Sequence, residues 1–465
     1  MTARIVVAGT SSGAGKTSVA CGLIAALRAR GMVVQGFKVG PDYIDPSYHA
    51  LASGRPGRNL DAFLAGPELV APLALHGAGG ADVAVIEGVM GLFDGASGRG
   101  ELASTAHVAK LLQAPVLLVI DAASMARSAA AIVHGYRTFD PDVEIAGVIV
   151  NKVGSDHHVQ LLREAIEPLG VPVVGALRRD DRVAAPERHL GLVPADERTA
   201  RTRAAIDALG EAVLAHVDLD RVLALARTAP RLGGQAWSPA VDEPAGASAA
   251  ATIAIARGSA FSFHYEENLE LLRAAGATLA PFDPTRDTAL PDGAGALILA
   301  GGFPEVFGAE LSANAELRER VAAFARSGRP VLAECGGLLY LCDALDDVPM
   351  CGVLPARGRM AGRLSIGYRE AAVLADSALW RAGEQVRGHE FHYSAVDQVG
   401  GRATNGVSDL GEGAAAWELT ARGRTRAEGF VAGGVHASYL HVHWAAFPQA
   451  ARRLVAAAAR EPTWA

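Results

Sequence analysis

Short, uninterrupted apolar runs recur along this chain, and they constrain its fold more than any other feature. "RIVVAG", "VVQGFKV", "VAVIEG", "PVLLVID", "IAGVIVNKV" and "VPVVGAL" lie in the first half. A strand with one wet face alternates apolar and polar residues, so runs that are apolar throughout belong to strands buried on both faces, as in a parallel sheet. Between them lie amphipathic stretches such as "KTSVACGLIAALRARG", which carries an Arg in its last turn and a Gly stop. The pattern lapses after Thr228, where "TAPRLGGQAWSPAVDEPAGASAAA" is rich in Pro, Gly, Ala and Ser and predicts a linker over 228–250. Alternation resumes with "ATIAIAR", "EENLELLRAAG", "ALILAGG", "ELRERVAAFARSG" and "PVLAECGG". The expected architecture is two α/β domains, 1–227 and 251–465, without an internal repeat.

Composition narrows the class. The chain has 465 residues, half of them hydrophobic and 20% charged, so each domain has enough apolar material for a full core. A formal net charge of -7 argues against a nucleic-acid partner. No apolar run approaches the ~18 residues of a membrane span, so no membrane partner and a cytoplasmic location are expected. The four cysteines, Cys21, Cys335, Cys342 and Cys351, show no metal-ligand spacing. A disulfide framework is not expected in a chain of this size.

The first site is read from "GTSSGAGKTS", which follows the first apolar run. A phosphate loop needs converging backbone amides, a cation and a hydroxyl for Mg²⁺. Gly13 and Gly15 allow close approach to an anion, Lys16 supplies the charge, and Thr17 the Mg²⁺ ligand. The usual spacing puts a Gly where Thr10 stands, and Gly9 lies one residue too early. The candidate ATP-binding set is Ser12, Gly13, Ala14, Gly15, Lys16, Thr17 and Ser18, with the Asn151 amide at the adenine edge. Carboxylates belong at neighbouring strand ends, because a nucleotide lies across the carboxyl edge of such a sheet. Glu87 and Asp45 join Thr17 there as a hard-oxygen Mg²⁺ shell.

The second site is read from "PVLAECGGLLYL". Cys335 stands where a buried strand turns into a helix, and Gly336 and Gly337 permit a tight turn similar to a nucleophile elbow. The helix N-terminus is expected to lower the thiol pKa. Cys342, farther along the same helix, reads as core, and so does Cys21. "VHASYLHVHWAAFP" offers His436, His441 and His443 as the base, and spacing alone does not choose between His441 and His443. The oxyanion donors are expected from the amides of Gly302 and Gly336.

Taken with "FKVGPDYIDPSYH", "GRNLDAFL", "VIEGVMGLFDG", "TAHVAKLL", "PERHLGLVPA", "LAGGFPE", "GHEFHYS" and "ASYLHVHW", these motifs resemble the cobyrinic and hydrogenobyrinic acid a,c-diamide synthases nearly end to end. The first half is similar to the P-loop domain of dethiobiotin-synthetase type, whose loop has the same displaced first Gly. The second half is similar to class I glutamine amidotransferases. The resemblance implies an ATP- and Mg²⁺-dependent ligase, monomeric or homodimeric, that uses L-glutamine. Ammonia released at Cys335 would amidate the a and c acetate groups of cobyrinic or hydrogenobyrinic acid through acyl phosphates.

The same resemblance implies that His441 is the base. Many class I domains carry a Glu two residues beyond that His, and here the position is His443, which leaves the third member of the constellation unassigned. For the corrinoid the candidates are Lys38, Asp42, Tyr43, Tyr48, His49 and Asp94, with Arg188 and His189 in "PERHLG". Two rivals stand beside this reading. One is a related tetrapyrrole amide ligase, of cobyric acid synthase or nickel-tetrapyrrole type. The other is a partition-type regulatory ATPase, whose early loop Lys is Ser11 here.

Overall fold

The computed structural model describes residues 2–179, 195–239, 251–398, 407–408 and 411–460. The chain divides into two compact units, Met1–Ser238 and Pro239–Ala465.

In the first unit the six apolar runs form β1 (Ala3–Gly9), β2 (Val34–Val39), β4 (Val83–Glu87), β5 (Val116–Asp121), β6 (Ile145–Val153) and β7 (Val173–Arg178), and a short strand outside those runs, β3 (Arg58–Leu60), joins them. They lie in the order β3-β2-β4-β1-β5-β6-β7, every pair parallel. The order reverses around β1, so the loop that leaves β1 opens at a crevice between β4 and β5, where doubly wound sheets bind ligands. That loop leads into α1 (Lys16–Ala29), whose Val19, Leu23 and Leu27 are fully buried against the sheet. β2 is followed by α2 (Ile44–Ser53).

The first part of the expected linker is packed chain. The Arg4 guanidinium donates to Pro230 O at 2.5 Å, Trp237 N donates to Pro72 O at 2.9 Å, and the Trp237 ring stands edge-on to His76 at 5.0 Å. Its composition gave no apolar period because single residues, rather than a helix or strand face, make these contacts. Residues 240–250 lie outside the described residues.

The second unit is built on β8 (Ala251–Ala256), β9 (Phe261–Phe263), β10 (Ala277–Phe282), β11 (Ala294–Leu299), β12 (Gly301–Gly302) and β13 (Val331–Glu334). Its central sheet runs β10-β8-β11-β13, then Val435–Ser438 parallel to β13, then Phe430–Ala432 antiparallel at the edge. A second, antiparallel sheet centres on a hairpin of two long strands, Leu354–Val373 and Gln385–Gln398.

Cys335 follows β13 and precedes a helix of only six residues, Gly336–Leu341. The expectation that Cys342 continues this helix is corrected: Cys342 opens a strand, Cys342–Leu345. Its side chain is nonetheless fully buried, as is that of Cys21. Among the described residues no helix is long and apolar enough to cross a membrane.

Candidate functional site

In the first unit the phosphate loop has the backbone the sequence implies. Ser12 and Gly13 are exposed, Ala14 is buried, and Thr17 and Ser18 are half-buried at the start of α1. Gly15 adopts φ 100°, and a Cβ there would stand 2.1 Å from Asn151 Nδ2. Asn151 donates to Ala14 O at 3.0 Å, so it braces the loop from β6. Lys16 Nζ reaches back to Ser11 O at 3.0 Å and Met90 O at 2.6 Å, which closes the cradle.

Behind the loop, β2, β4, α1 and α2 converge five polar groups. Thr17 Oγ1 donates to Glu87 Oε1 at 2.6 Å and lies 3.5 Å from Asp45 Oδ2. The Lys38 ammonium sits between the carboxylates, 2.6 Å from Asp45 and 2.7 Å from Glu87. His49 Nε2 is 2.7 Å from the other Glu87 oxygen. Burial opposes ionisation of both acids, but Lys38 and His49 outweigh it at Glu87 and hold that carboxyl well below its usual range. At Asp45 burial and the Glu87 charge prevail and push it up to about 7. The oxygens of Thr17, Asp45 and Glu87 are of the kind a hard divalent cation takes, and in this structure the Lys38 ammonium meets the charge of the two carboxylates.

The other candidates in this unit take varied positions. Lys38 and His49, expected to face substrate, are enclosed, with 2% and 0% of their surfaces exposed, and serve the carboxylates instead. Asp42 accepts from the Ile44 and Asp45 amides at the head of α2. Tyr48 packs on the core of this unit, and Tyr43 is half-buried. Asp94 is exposed in its glycine loop and accepts from Gly91 N. Arg188 and His189 lie outside the described residues.

In the second unit Cys335 has φ 48° and ψ -98°, a strained conformation for a residue with a side chain and the mark of an elbow. Its amide donates to Ser438 O at 2.7 Å, which pins the turn to the neighbouring strand. A Cβ on Gly336 would stand 3.0 Å from Gly302 N, so these two backbone segments meet beside the elbow. A Cβ on Gly302 would strike Ala260 O at 2.0 Å, so only glycine fits there.

The expected lowering of the thiol pKa is not found. Burial pushes the Cys335 thiol far up, Glu305 adds to this, and the Gly336 amide offsets only part of it. A single short turn of helix supplies too little field to reverse desolvation. A thiol pushed up in this way needs a base before its sulfur can attack.

Of the three histidines, His436 is enclosed beside Trp417 and pushed by burial down to about 4. His443 faces Glu267, at 3.5 Å. His441 lies against Gly301, where a Cβ would stand 2.5 Å from its Cε1 and 3.3 Å from its Nε2. Its Nδ1 is 3.3 Å from Glu334 Oε2. The Gln385–Gln398 strand crosses the same place, with Phe391 O 3.9 Å from Cys335 Sγ and the His389 ring 5.1 Å from that of His441. Beside it Glu390 is buried between Arg369 and Arg426. Sequence reasoning missed Glu334, whose signal was an acid ending an otherwise apolar strand directly before the elbow.

Comparison with known proteins matches both units. Residues 5–193 fit the family model described as the CobQ/CobB/MinD/ParA nucleotide binding domain. Residues 252–449 fit the CobB/CobQ-like glutamine amidotransferase domain. A hydrogenobyrinate a,c-diamide synthase of Streptomyces coelicolor is 54% identical, covering 97% of this chain and 96% of that one. One of Mycobacterium tuberculosis (strain H37Rv) is 50% identical, covering 98% of each. A cobyrinate a,c-diamide synthase of Syntrophotalea carbinolica is 44% identical, covering 97% and 98%.

Proposed function

The chain belongs to the hydrogenobyrinate and cobyrinate a,c-diamide synthases, and from that membership we propose that it amidates the a and c acetate side chains of a corrin with nitrogen from glutamine, driven by ATP. Hydrogenobyrinate is the favoured ring, because the relatives at 50% identity and above named here carry that name. The observation that carries the reading is that one chain holds both a phosphate cradle and an elbow cysteine beside a histidine. A carboxylate becomes an acyl donor only once its oxygen is made a leaving group, and ammonia is a nucleophile only while unprotonated. Each unit answers one of those requirements.

In the first unit the amides of residues 12–18 and the Lys16 ammonium receive the ATP phosphates, and Asn151 holds the loop that presents them. Thr17, Asp45 and Glu87 would hold Mg²⁺, which supplies charge neutralisation for phosphoryl transfer. Lys38 keeps the two acids charge-balanced, and His49 fixes the orientation of Glu87. In-line transfer to the corrin acetate gives an acyl phosphate, ammonia displaces phosphate, and the amide remains.

In the second unit the Cys335 thiol passes its proton to His441 as sulfur attacks the glutamine side-chain carbonyl. The amides of Gly302 and Gly336 receive the oxyanion, an interaction commonly worth ~2.7–4 kcal/mol per donor. His441 returns the proton to the departing ammonia, and water then cleaves the thioester.

The test is a product mass assay with ATP and Mg²⁺. Hydrogenobyrinic or cobyrinic acid is supplied with glutamine or with ammonium. Two successive acid-to-amide changes support the reading, with the faster ring identifying the substrate. No mass change with either ring and either nitrogen source overturns it.

A further inference from the structure

We propose that Glu334 is the positioning residue of the glutamine-hydrolysing site, holding His441 through Nδ1 so that Nε2 is left to serve Cys335. The proposal rests on the reading of Cys335 and His441 given above and supplies the missing third member of that constellation.

Three observations carry it. The Glu334 carboxylate stands 3.3 Å from His441 Nδ1, with the His441 side chain 1% and the Glu334 side chain 14% exposed. The contact is set by strand register rather than by chance reach. Glu334 ends β13 opposite Ser438 on the neighbouring strand, and the chain goes on from Ser438 to His441 three residues later. Adjacent residues of a strand normally face opposite sides, which would part Glu334 from Cys335. The positive φ of Cys335 breaks that alternation at the residue where acid and nucleophile must serve one imidazole.

Three other acids near the elbow are engaged elsewhere, and Glu305 acts on the Cys335 thiol. Glu390 is paired with Arg369 and Arg426. Glu428 accepts from Ser438 Oγ and Tyr439 N at 2.6 and 2.9 Å. Glu267 faces His443, the residue standing where many class I domains have their orienting Glu.

The physical role follows from the tautomer. A carboxylate on Nδ1 keeps that nitrogen protonated, which makes Nε2 the lone-pair nitrogen. When the Sγ proton moves to Nε2, the ring becomes an imidazolium flanked by a fixed negative charge. The Nδ1 proton stays on nitrogen throughout. Without the imidazolium, the same carboxylate only disfavours a thiolate, and it is among the charges that push the Cys335 thiol up. Its presence at this spot is favourable only if a cation forms beside it during turnover.

The experiment is steady-state glutaminase kinetics of Glu334→Gln and Glu334→Asp. Glu334→Gln keeps size and reach but removes the charge. Its kcat is expected to fall by ~10²–10⁴-fold, with KM for glutamine changed by less than about twofold. Glu334→Asp keeps the charge and is expected to retain more kcat than Glu334→Gln. A merely structural role predicts the reverse ranking, because Gln preserves the shape. ¹⁵N NMR of histidine-labelled protein reads the tautomer directly: the Nδ1–H form of His441 should dominate in the parent and lose that dominance in Glu334→Gln. Melting temperatures matching the parent exclude misfolding. Parental kcat in Glu334→Gln, or Gln outperforming Asp, overturns the proposal. Glutamine-dependent turnover surviving in Cys335→Ala or His441→Ala would instead overturn the reading on which it rests.

Discussion

At the edge of the first sheet Lys38, Asp45, Glu87 and His49 are buried in mutual contact, whereas at the edge of the second sheet the Cys335 thiol is buried with the carboxylates of Glu305, Glu334 and Glu390 acting on it. Both edges are ends of parallel strands, so the fold alone does not dictate the difference. The chemistry does. Phosphoryl transfer adds and removes several charges at once, and a site for it keeps fixed charges in balance before the substrate arrives. Hydrolysis of a neutral amide begins and ends without net charge, and a neutral thiol beside a base is sufficient.

Cys335→Ala probes this division most severely. Glutamine-dependent amidation should fall by ~10⁵-fold or more, while ammonium restores product formation. Persistence of the glutamine-dependent rate would place the nucleophile elsewhere. Next, Lys38→Met removes the cation between two buried acids. Loss of one partner from a buried pair costs about 3–5 kcal/mol, so denaturant unfolding of the first unit in EDTA should shift by that amount, with partial recovery in Mg²⁺. An unchanged midpoint would mean that the acids are not held in balance by Lys38.

Lys16→Ala should lower amidation by ~10²–10³-fold with glutamine and with ammonium alike, because phosphoryl transfer precedes capture of either nitrogen source. A defect confined to glutamine would break the assignment of one chemistry to each unit. The smallest effect concerns Glu428, which burial raises from 4.5 to about 7. The unfolded chain then loses its proton first as pH rises. Stability should fall by roughly 1 kcal/mol per pH unit between about 4.5 and 7 and level off above. Glu428→Gln keeps an acceptor for Ser438 and Tyr439 and should flatten that slope in pH-dependent melting curves.

Much of the frame was legible in the sequence because it depends on local rules. Six apolar runs became six of the seven parallel strands, the lysine and threonine of "GKT" opened a helix, and the cysteine of "ECGG" made an elbow. The less legible features depend on desolvation or on contacts distant in sequence. Glu334 and His441 are 107 residues apart and meet only because Val435–Ser438 pairs with β13. His49 and Lys38 read as substrate ligands in a polar motif, yet α2 turns His49 and β2 turns Lys38 inward onto Glu87. The thiol pKa went the other way because its helix has six residues while its burial is nearly complete.

That buried, protonated sulfur has a consequence outside turnover. Peroxides and other oxidants react with thiolates, and a cysteine kept as thiol climbs the oxidation ladder slowly. The burial that holds the Cys335 thiol up thereby slows sulfenic and sulfinic acid formation at that sulfur. On the chemistry proposed above, its thiolate forms only during turnover, and its vulnerability is confined to the same moments.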